Sequence, residues 1–320
     1  MRILDVINKT TPFFEKQRIE SPRLNIELLL SHLLKKKRLD LYMEFERELD
    51  DSTLEKLRDM VRRRATGEPL QYITGETEFC GLKFMVDKRV LIPRPETELL
   101  VETVLGRLGE RRSQAGRESP LGTTSLSRGT PVPSDQPVTN HQSPVTIIDV
   151  GTGSGCIAVT LAKKLLAPGG EVRARIYATD ESAEALEVAR TNAKLHEVEK
   201  NIGFLQSDML EALSNSLRAD VIVSNPPYVV DGELAKLPKE VRDFEPVRAL
   251  AAGEDGLKAI RRLAMNAKRF MSPSGFTALE IGAGQRPAVE ELFENNGCVV
   301  TEVVKDLQGH ERVIVAVPKK

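Results

Sequence analysis

Cysteine, histidine and long apolar runs are all scarce in this chain of 320 residues. The cysteines are scattered and odd in number, which predicts reduced thiols rather than a disulfide framework: Cys80, Cys156 and Cys298. The histidines lie too far apart to suggest a zinc site: His32, His141, His196 and His310. No apolar run approaches the roughly 18 residues of a membrane span. With no secretory signal at its beginning, the sequence predicts a cytoplasmic protein with no membrane or metal role.

Neither sign of charge is in excess, since 46 lysines and arginines are balanced by 47 aspartates and glutamates. A protein that binds mainly nucleic acid needs cationic surface to neutralise phosphates. The balance of the whole chain gives no such indication, although a local basic patch would not be visible in it. We therefore expect no direct nucleic-acid partner.

The chain divides by composition into four segments. Residues 1–75 carry helical patterns, and residues 76–108 predict a short hairpin and a linker helix that begins near Glu96. Residues 109–144 are rich in Ser, Gly, Pro, Thr and Arg and have almost no apolar side chains, so burial cannot offset the entropy of ordering them. We predict a low-complexity disordered insertion there, without a catalytic role, and a catalytic domain over residues 145–320.

Two helix starts in the first segment are predicted from capping residues. Ser21 before Pro22 has the order of a cap followed by proline at the first helical position. Ser52, three residues before Glu55, has the spacing of a capping box. We expect one helix to begin at each place.

From residue 145 the pattern alternates between apolar strands and helical stretches. The predicted strands are VTIIDVG, ARIYATD, GFLQSD, ADVIVSN and GFTALEIG. Apolar strands separated by helices indicate an α/β fold with a doubly wound, mostly parallel sheet covered on both faces. Ligands of such sheets bind at the carboxyl ends of the strands, near the topological switch point. The unusual residue clusters of the sequence follow these strand ends.

A glycine-rich loop follows the first of these strands. Its residues are Gly151, Thr152, Gly153, Ser154 and Gly155. The spacing is G-x-G-x-G, not the G-x-G-x-x-G of dinucleotide folds. Glycines let the backbone approach a ligand that a side chain would exclude, although a plain strand-to-helix turn has a similar composition.

Acidic residues end the second and third strands. Asp180 is placed to accept hydrogen bonds from both hydroxyls of a ribose, or else to cap a helix. Asp208 is placed to accept a hydrogen bond from the amino group of adenine, and Met209 to cover the ring, unless the two simply begin a helix and pack. No Walker-type lysine motif for a triphosphate is present. Together the strand ends predict a site for a phosphate-free adenosine cofactor, and S-adenosylmethionine fits that description.

The fourth strand ends in Asn225, Pro226, Pro227 and Tyr228. The prolines cannot extend a sheet, so the chain turns stiffly out of it. The Asn225 side-chain oxygen and the Pro226 carbonyl oxygen can accept both hydrogens of a planar NH₂ group, and the Tyr228 ring can lie against it. This turn predicts methyl transfer to a carboxamide or aromatic amine, with no strong general base. A rigid loop with a capping asparagine is the structural alternative.

These motifs resemble those of the HemK/PrmC family of S-adenosylmethionine-dependent N(5)-glutamine methyltransferases. That family modifies the glutamine in the Gly-Gly-Gln loop of bacterial class-1 peptide release factors. The resemblance extends over nearly the whole chain except the insertion, through GEPLQYITGETEFCGLKF, LIPRPETELLVE, DVGTGSG, ATDES, SNPPYV, FEPVRALAAGEDGL and DLQGHERVIVA. The Asn-Pro-Pro-Tyr tetrad alone is shared with adenine-N6 DNA methyltransferases, whereas the PRPETE and EP…AL…GEDGL stretches are more specific.

The resemblance implies a Rossmann-like class I methyltransferase sheet with a small helical N-terminal domain for substrate recognition. It implies that Gly151 to Gly155, Asp180, Met209 and Asn225 contact S-adenosylmethionine and that Asn225 to Tyr228 hold the substrate glutamine. The family usually has an aromatic residue at the position of Met209. We expect a monomer whose partner is a release factor.

Two interpretations are open for several charged residues in the stretches that are more specific to this family. Arg94, Glu96 and Glu98 either line the entrance to the site or brace the linker. The pair Glu245–Pro246 and the run Glu254 to Gly256 either contact substrate or support the loop after the tetrad.

Three other functions compete with methylation of a release factor. A glutamine of a ribosomal protein would suit the same chemistry. An adenine-N6 nucleic-acid methyltransferase is disfavoured by the neutral charge and by the lack of a basic, aromatic target-recognition domain. A non-enzymatic binding module is the weakest alternative, because the cofactor loop and the amide-binding turn are both intact.

Overall fold

The computed structural model of the protein describes residues 1–117, 144–166 and 174–319. The N-terminal segment forms five helices: α1 (Ile3–Lys16), α2 (Pro22–Leu34), α3 (Arg38–Met43), α4 (Asp51–Ala65) and α5 (Leu70–Thr74). Their apolar faces share one core, in which Ile7, Phe14 and Leu29 are fully buried. The helical domain therefore has a core of its own, separate from that of the sheet.

The caps of two helices differ from the prediction. α2 begins at Pro22 as expected, but Ser21 is left-handed, with φ 46°, and its side chain makes no capping hydrogen bond. α4 is capped by Asp50 instead of Ser52, because the Asp50 carboxylate accepts the Thr53 N–H at 2.9 Å. The Ser52 hydroxyl donates to that same carboxylate at 2.7 Å and so supports the cap without forming it.

A hairpin and a long helix connect the two parts of the chain. The hairpin consists of β1 (Glu76–Phe79) and β2 (Leu82–Met85), which pair antiparallel, and the helix is α6 (Pro95–Arg117). Residues 109–117, predicted as the start of the disordered insertion, belong to α6. Within this part of the helix, Arg111 lies over the ring of Phe276, 4.8 Å from its centroid. Residues 118–143 of the predicted insertion lie outside the described residues.

The remaining chain builds the predicted α/β sheet. Its strands are β3 (Val145–Val150), β4 (Ala174–Asp180), β5 (Ile202–Gln206), β6 (Ala219–Ser224), β7 (Met271–Glu280), β8 (Cys298–Lys305) and β9 (Glu311–Pro318). They are ordered β5-β4-β3-β6-β7-β9-β8, and β9 runs antiparallel to both its neighbours while the other pairs are parallel. The doubly wound, mostly parallel sheet is confirmed.

Helices follow or flank these strands. They are α7 (Cys156–Lys164), α8 (Ala183–Leu195), α9 (Lys239–Phe244), α10 (Lys258–Phe270) and α11 (Arg286–Asn295). Ile147 and Ile148, adjacent in β3, are both fully buried but belong to different apolar clusters. Since successive side chains of a strand point to opposite faces, the sheet is covered on both.

The strand register brings the predicted site residues to one edge. Val150 is paired with Thr179 on one side and with Ser224 on the other. The residues that follow, Gly151, Asp180 and Asn225, therefore emerge side by side. The chain passes from β3 to β4 on one side and returns to β6 on the other, so this edge is the topological switch point.

The helical domain and the sheet domain are joined by polar contacts. The buried Arg64 of α4 forms an ion pair with Glu240 of α9 and donates to the Asn25 side chain at 2.6 Å. The Tyr72 hydroxyl of α5 donates to the Val90 carbonyl at 2.5 Å.

None of the described helices is long and apolar enough to cross a membrane. Within the described ranges no cluster of His, Cys, Asp or Glu is suited to a metal ion.

Candidate functional site

A cavity of about 390 Å³ opens at the carboxyl edge of the sheet. Its volume lies in the roughly 300–1,000 Å³ range of small-molecule sites. The strand ends provide Gly151, Gly153, Asp180, Asp208, Met209, Asn225 and Pro227. The wall opposite comes from the linker before α6 and from the loop after the tetrad, through Val90, Leu91, Pro246, Arg248 and Ala251. Residues predicted from separate strand ends thus surround a single space.

The glycine loop combines exposed backbone with buried support. Gly151 and Gly153 line the cavity with φ of 72° and 54°, a left-handed conformation that a side chain rarely adopts. The other members, Thr152, Ser154 and Gly155, are buried and build the loop. A Cβ on Gly155 would lie 3.0 Å from the Ala189 Cβ, so this glycine is needed for packing of the loop on α8.

A buried carboxylate holds the loop from beneath. Asp149 is fully buried, and its Oδ2 accepts the Thr152 hydroxyl at 2.6 Å and the Ala158 N–H at 3.2 Å. Burial raises the pKa of this carboxyl to about 7. Its Oδ1 has no hydrogen-bond partner among the described residues. The Asp149 carboxyl therefore joins the end of β3 to the start of α7.

Asp180 is fixed by two backbone donors and still borders the cavity. Its Oδ2 accepts the Gly153 N–H at 2.8 Å, and its Oδ1 accepts the Ser182 N–H at 2.9 Å. The cap of α8 is Ser182, whose hydroxyl accepts the Ala185 N–H, so Asp180 is not the helix cap. Burial raises the pKa of the Asp180 carboxyl. Each oxygen of a carboxylate has a second lone pair, which can accept a ligand hydroxyl.

Asp208 and Met209 follow β5 and line the same cavity. Asp208 forms an ion pair with Arg262 of α10 at 2.6 Å. Met209 has a positive φ of 54°, which is uncommon for a residue other than glycine. Arg262 therefore holds the Asp208 side chain, and Met209 combines an unusual backbone conformation with a place in the cavity wall.

The tetrad leaves the sheet after β6, as predicted. Asn225 and Pro227 line the cavity, while Pro226 is buried and Tyr228 is half-buried behind them. The Tyr228 hydroxyl donates to Glu280 at 3.4 Å, and burial raises the pKa of this phenol to about 12. The Tyr228 carbonyl accepts from the Gln285 side chain at 3.3 Å. Two contacts thus hold the Tyr228 end of the turn, and the tyrosine stays neutral at physiological pH.

Thr97 and Glu280 contact the tetrad from behind and were missed by sequence reasoning. The Asn225 Nδ2 donates to the Thr97 Oγ1 at 2.9 Å, and that hydroxyl donates to the Glu280 Oε2 at 2.7 Å. Thr97 is only 2% exposed and Glu280 only 1%. Thr97 lies inside the PRPETE stretch, which could have indicated a role for it. For Glu280, the only indication in the sequence was its position at the end of a predicted strand.

Asn192 of α8 is a further residue that the sequence did not reveal. It is fully buried, and its Nδ2 donates to the carbonyls of Met85 at 3.0 Å and Ser154 at 2.8 Å. Its Oδ1 accepts the Met85 N–H at 2.7 Å. One amide therefore joins the end of the hairpin to the glycine loop.

Most of the charged residues in the family-specific stretches contact the linker before α6 or the hairpin and do not line the cavity. Glu245 is buried, forms an ion pair with Arg94 and accepts the Ile92 N–H at 3.3 Å. Glu98 accepts the Cys80 N–H at 2.7 Å, which braces the hairpin, whereas Glu96 is exposed.

The run from Glu254 to Gly256 packs against the tetrad by its glycine. A Cβ on Gly256 would lie 2.8 Å from the Tyr228 carbonyl oxygen, and the residue has a φ of 74°. Glu254 is exposed, and Asp255 forms an ion pair with Arg261 at 2.5 Å. The glycine thus allows this loop to lie close behind the Asn-Pro-Pro-Tyr turn.

Family models match both parts of the chain. The PrmC N-terminal domain matches residues 5–75, and the methyltransferase small domain matches residues 137–240. A crystal structure of the hMettl16 catalytic domain in complex with MAT2A 3'UTR hairpin 6 is similar with a TM-score of 0.51 and 14% identity, covering 84% of this chain and 82% of that one. At this identity the likeness concerns the fold alone.

Two relatives are similar to this chain over nearly its whole length. The chain is 39% identical over 313 residues to the release factor glutamine methyltransferase of Chlorobaculum tepidum, covering 97% of this chain and 95% of the relative. It is 37% identical over 316 residues to the bifunctional methyltransferase of Rickettsia felis, covering 99% of this chain but only 58% of that longer protein. The chain belongs to the family of release factor glutamine methyltransferases.

Proposed function

We propose that this protein transfers a methyl group from S-adenosylmethionine to the side-chain amide nitrogen of the glutamine in the Gly-Gly-Gln loop of class-1 peptide release factors. The observation that carries the proposal is the position of Asn225, which borders the cavity beside the glycine loop. A group that can bind an NH₂ is thereby next to a site suited to a nucleoside. Membership of the release factor glutamine methyltransferase family supports the choice of substrate.

The cavity residues fit the cofactor. Gly151 and Gly153 allow its methionine part to approach the backbone, because side chains there would narrow the cavity. The second lone pairs of the Asp180 carboxylate accept the two ribose hydroxyls. Asp208 accepts from the adenine amino group, and Met209 covers one face of the ring. Thr152, Ser154 and Gly155, which the sequence predicts as further cofactor ligands, are buried within the same loop.

S-adenosylmethionine supplies an electrophilic methyl carbon on a positively charged sulfur. The protein's part is to orient the substrate amide so that its nitrogen lone pair faces that carbon. The Asn225 Oδ1 and the Pro226 carbonyl oxygen accept the two amide hydrogens, and Tyr228 and Pro227 enclose the amide plane. As the new C–N bond forms, the bonding pair of the C–S bond stays on sulfur, and the nitrogen loses one proton to solvent. Acceptors that strengthen as positive charge develops on nitrogen favour the transition state.

The helical domain formed by residues 1–75 is the proposed docking face for the release factor. Its connection to the site supports this role, because Arg64 pairs with Glu240 and Tyr72 donates to Val90, which borders the cavity. The even charge of the chain disfavours a duplex substrate. We also propose that the protein acts in the cytoplasm as a monomer.

Transfer of labelled methyl groups tests the substrate. The purified protein is incubated with methyl-labelled S-adenosylmethionine and a class-1 release factor, the same factor with Gln→Ala in its Gly-Gly-Gln loop, a mixture of ribosomal proteins, or duplex DNA. We expect label in the unchanged factor and in none of the other three. Label in ribosomal proteins or DNA with none in the factor, or label that survives the Gln→Ala change, would contradict the proposal.

A further inference from the structure

Three polar side chains form a connected row behind the cavity. Glu280, at the end of β7, accepts the Thr97 hydroxyl at 2.7 Å, and Thr97, in the first turn of α6, accepts the Asn225 Nδ2 at 2.9 Å. The inner two residues are almost wholly buried, at 1% and 2% exposed. A buried acid and a buried hydroxyl are costly without a partner, so this row is a built feature and not a surface contact.

The direction of the hydrogen bonds follows from the number of protons available. A carboxylate only accepts, so the single proton of the Thr97 hydroxyl is donated to Glu280. The threonine oxygen can then only accept from Asn225, which must turn its Nδ2 inward and its Oδ1 toward the cavity. Without this row, the two ends of the asparagine amide are nearly equivalent in shape and either could face the cavity.

We propose that Thr97 and Glu280 are positioning residues for methyl transfer, which hold Asn225 with its oxygen toward the substrate amide. This inference rests on the proposed function, because it concerns the acceptor that binds the target NH₂. An inverted Asn225 would present its own NH₂ to the substrate's NH₂, and two donors cannot form a hydrogen bond. The pair therefore selects the reactive orientation without touching the substrate.

The orientation of the Asn225 amide also depends on the protonation state of Glu280. When protonated, its carboxyl can donate to Thr97, and the threonine proton is then available to the Asn225 Oδ1, which favours the inverted amide. The groups that face Glu280 are the Tyr228 hydroxyl at 3.4 Å and the charges of Arg312 and Glu96. Burial is the largest influence and raises the pKa of Glu280 to about 7, while Thr97, Tyr228 and Arg312 lower it. The reactive orientation is therefore favoured above about pH 7 and lost as the pH falls through that value.

A pair of Thr97 variants tests the row. Thr97→Val keeps the shape but removes the hydroxyl, and Thr97→Ser keeps the hydroxyl. With a release factor as substrate, we expect Thr97→Val to lower kcat at least tenfold while the KM for the factor and the Kd for S-adenosylmethionine change less than threefold. Thr97→Ser should stay within threefold of wild type in all three. A kcat of Thr97→Val within twofold of wild type, or an equal loss in both variants, would overturn the proposal.

The pH profile gives an independent test should Thr97→Val fail to fold. At saturating cofactor and release factor, kcat of the wild type should decline below about pH 7, in line with the pKa of Glu280. The decline should be absent from Glu280→Gln, whatever its rate, because that side chain does not titrate. A decline that persists in Glu280→Gln would contradict the role of Glu280. Wild-type protein that labels no release factor would instead refute the proposed function, so the two failures are distinguishable.

Discussion

Replacing Asn192 with alanine should lower the free energy of unfolding by about 3 kcal/mol, although the residue does not line the cavity. The change removes three hydrogen bonds of a fully buried amide and leaves the Met85 N–H, the Met85 carbonyl and the Ser154 carbonyl without that partner. A buried group left unpaired costs roughly 1–3 kcal/mol, and because two of the three groups belong to the partly exposed Met85, the low end of that range for three groups gives the figure.

Denaturant unfolding at equilibrium measures this loss, and Thr191→Ala is the matched control. Thr191 is the preceding residue of the same helix but is exposed, so its replacement should change stability by no more than about 0.5 kcal/mol. Because Asn192 also holds the Ser154 carbonyl, its variant should bind S-adenosylmethionine several-fold more weakly at a temperature where both proteins are folded. A loss of stability equal to that of the control would refute the role assigned to this amide.

Three further predictions concern the site itself. Asn225→Ala should reduce methyl transfer by a factor that corresponds to about 3 kcal/mol, by analogy with loss of an oxyanion-hole donor, while calorimetry still detects cofactor binding; turnover near that of wild type would exclude the amide-binding role. Asp180→Ala should weaken cofactor binding more than it slows the chemical step, by about 1.5–3 kcal/mol for hydrogen bonds to a charged group, and unchanged affinity in calorimetry would reject the ribose assignment. Asp149 has a folded-state pKa raised to about 7 from 3.8, so its contribution is most favourable below pH 3.8 and is lost as the pH rises through about 7. Unfolding measured from pH 5 to pH 8 should therefore show the wild type losing stability relative to Asp149→Asn as the pH rises, and parallel curves would contradict this.

The sheet and the edge that carries the site were predictable from local sequence. Apolar runs such as VTIIDV and ADVIVS mark buried strands, and the residues that break them necessarily lie at the strand ends. Parallel strands bring those ends to one edge, which is why Gly151, Asp180 and Asn225 could be grouped before their positions were known. The family resemblance then supplied the substrate, which no local pattern contains.

The supporting contacts were not predictable, because they join residues distant in sequence. Thr97 lies 128 positions from Asn225 and 183 from Glu280, and Asn192 lies 107 positions from Met85. No periodicity or motif specifies such pairs; only the packed fold brings them together.

The errors at helix ends have a different cause. Asp50 and Ser52 are both acceptable caps by composition, and the choice depends on which side chain reaches the Thr53 N–H. Beyond Leu108, α6 contacts a ring contributed by β7, which no local pattern indicates. Both features involve contacts in space that the local sequence does not specify.

The most direct test of the central claim is to locate the transferred methyl group on the substrate. A class-1 release factor is incubated with the protein and S-adenosylmethionine, digested, and sequenced by fragmentation mass spectrometry, with the Asn225→Ala variant as the control. The account predicts one added methyl group on the side-chain amide nitrogen of the Gly-Gly-Gln glutamine, and none with the variant. A methyl group on any other residue, or an unmodified glutamine after prolonged incubation with the wild-type protein, would contradict it.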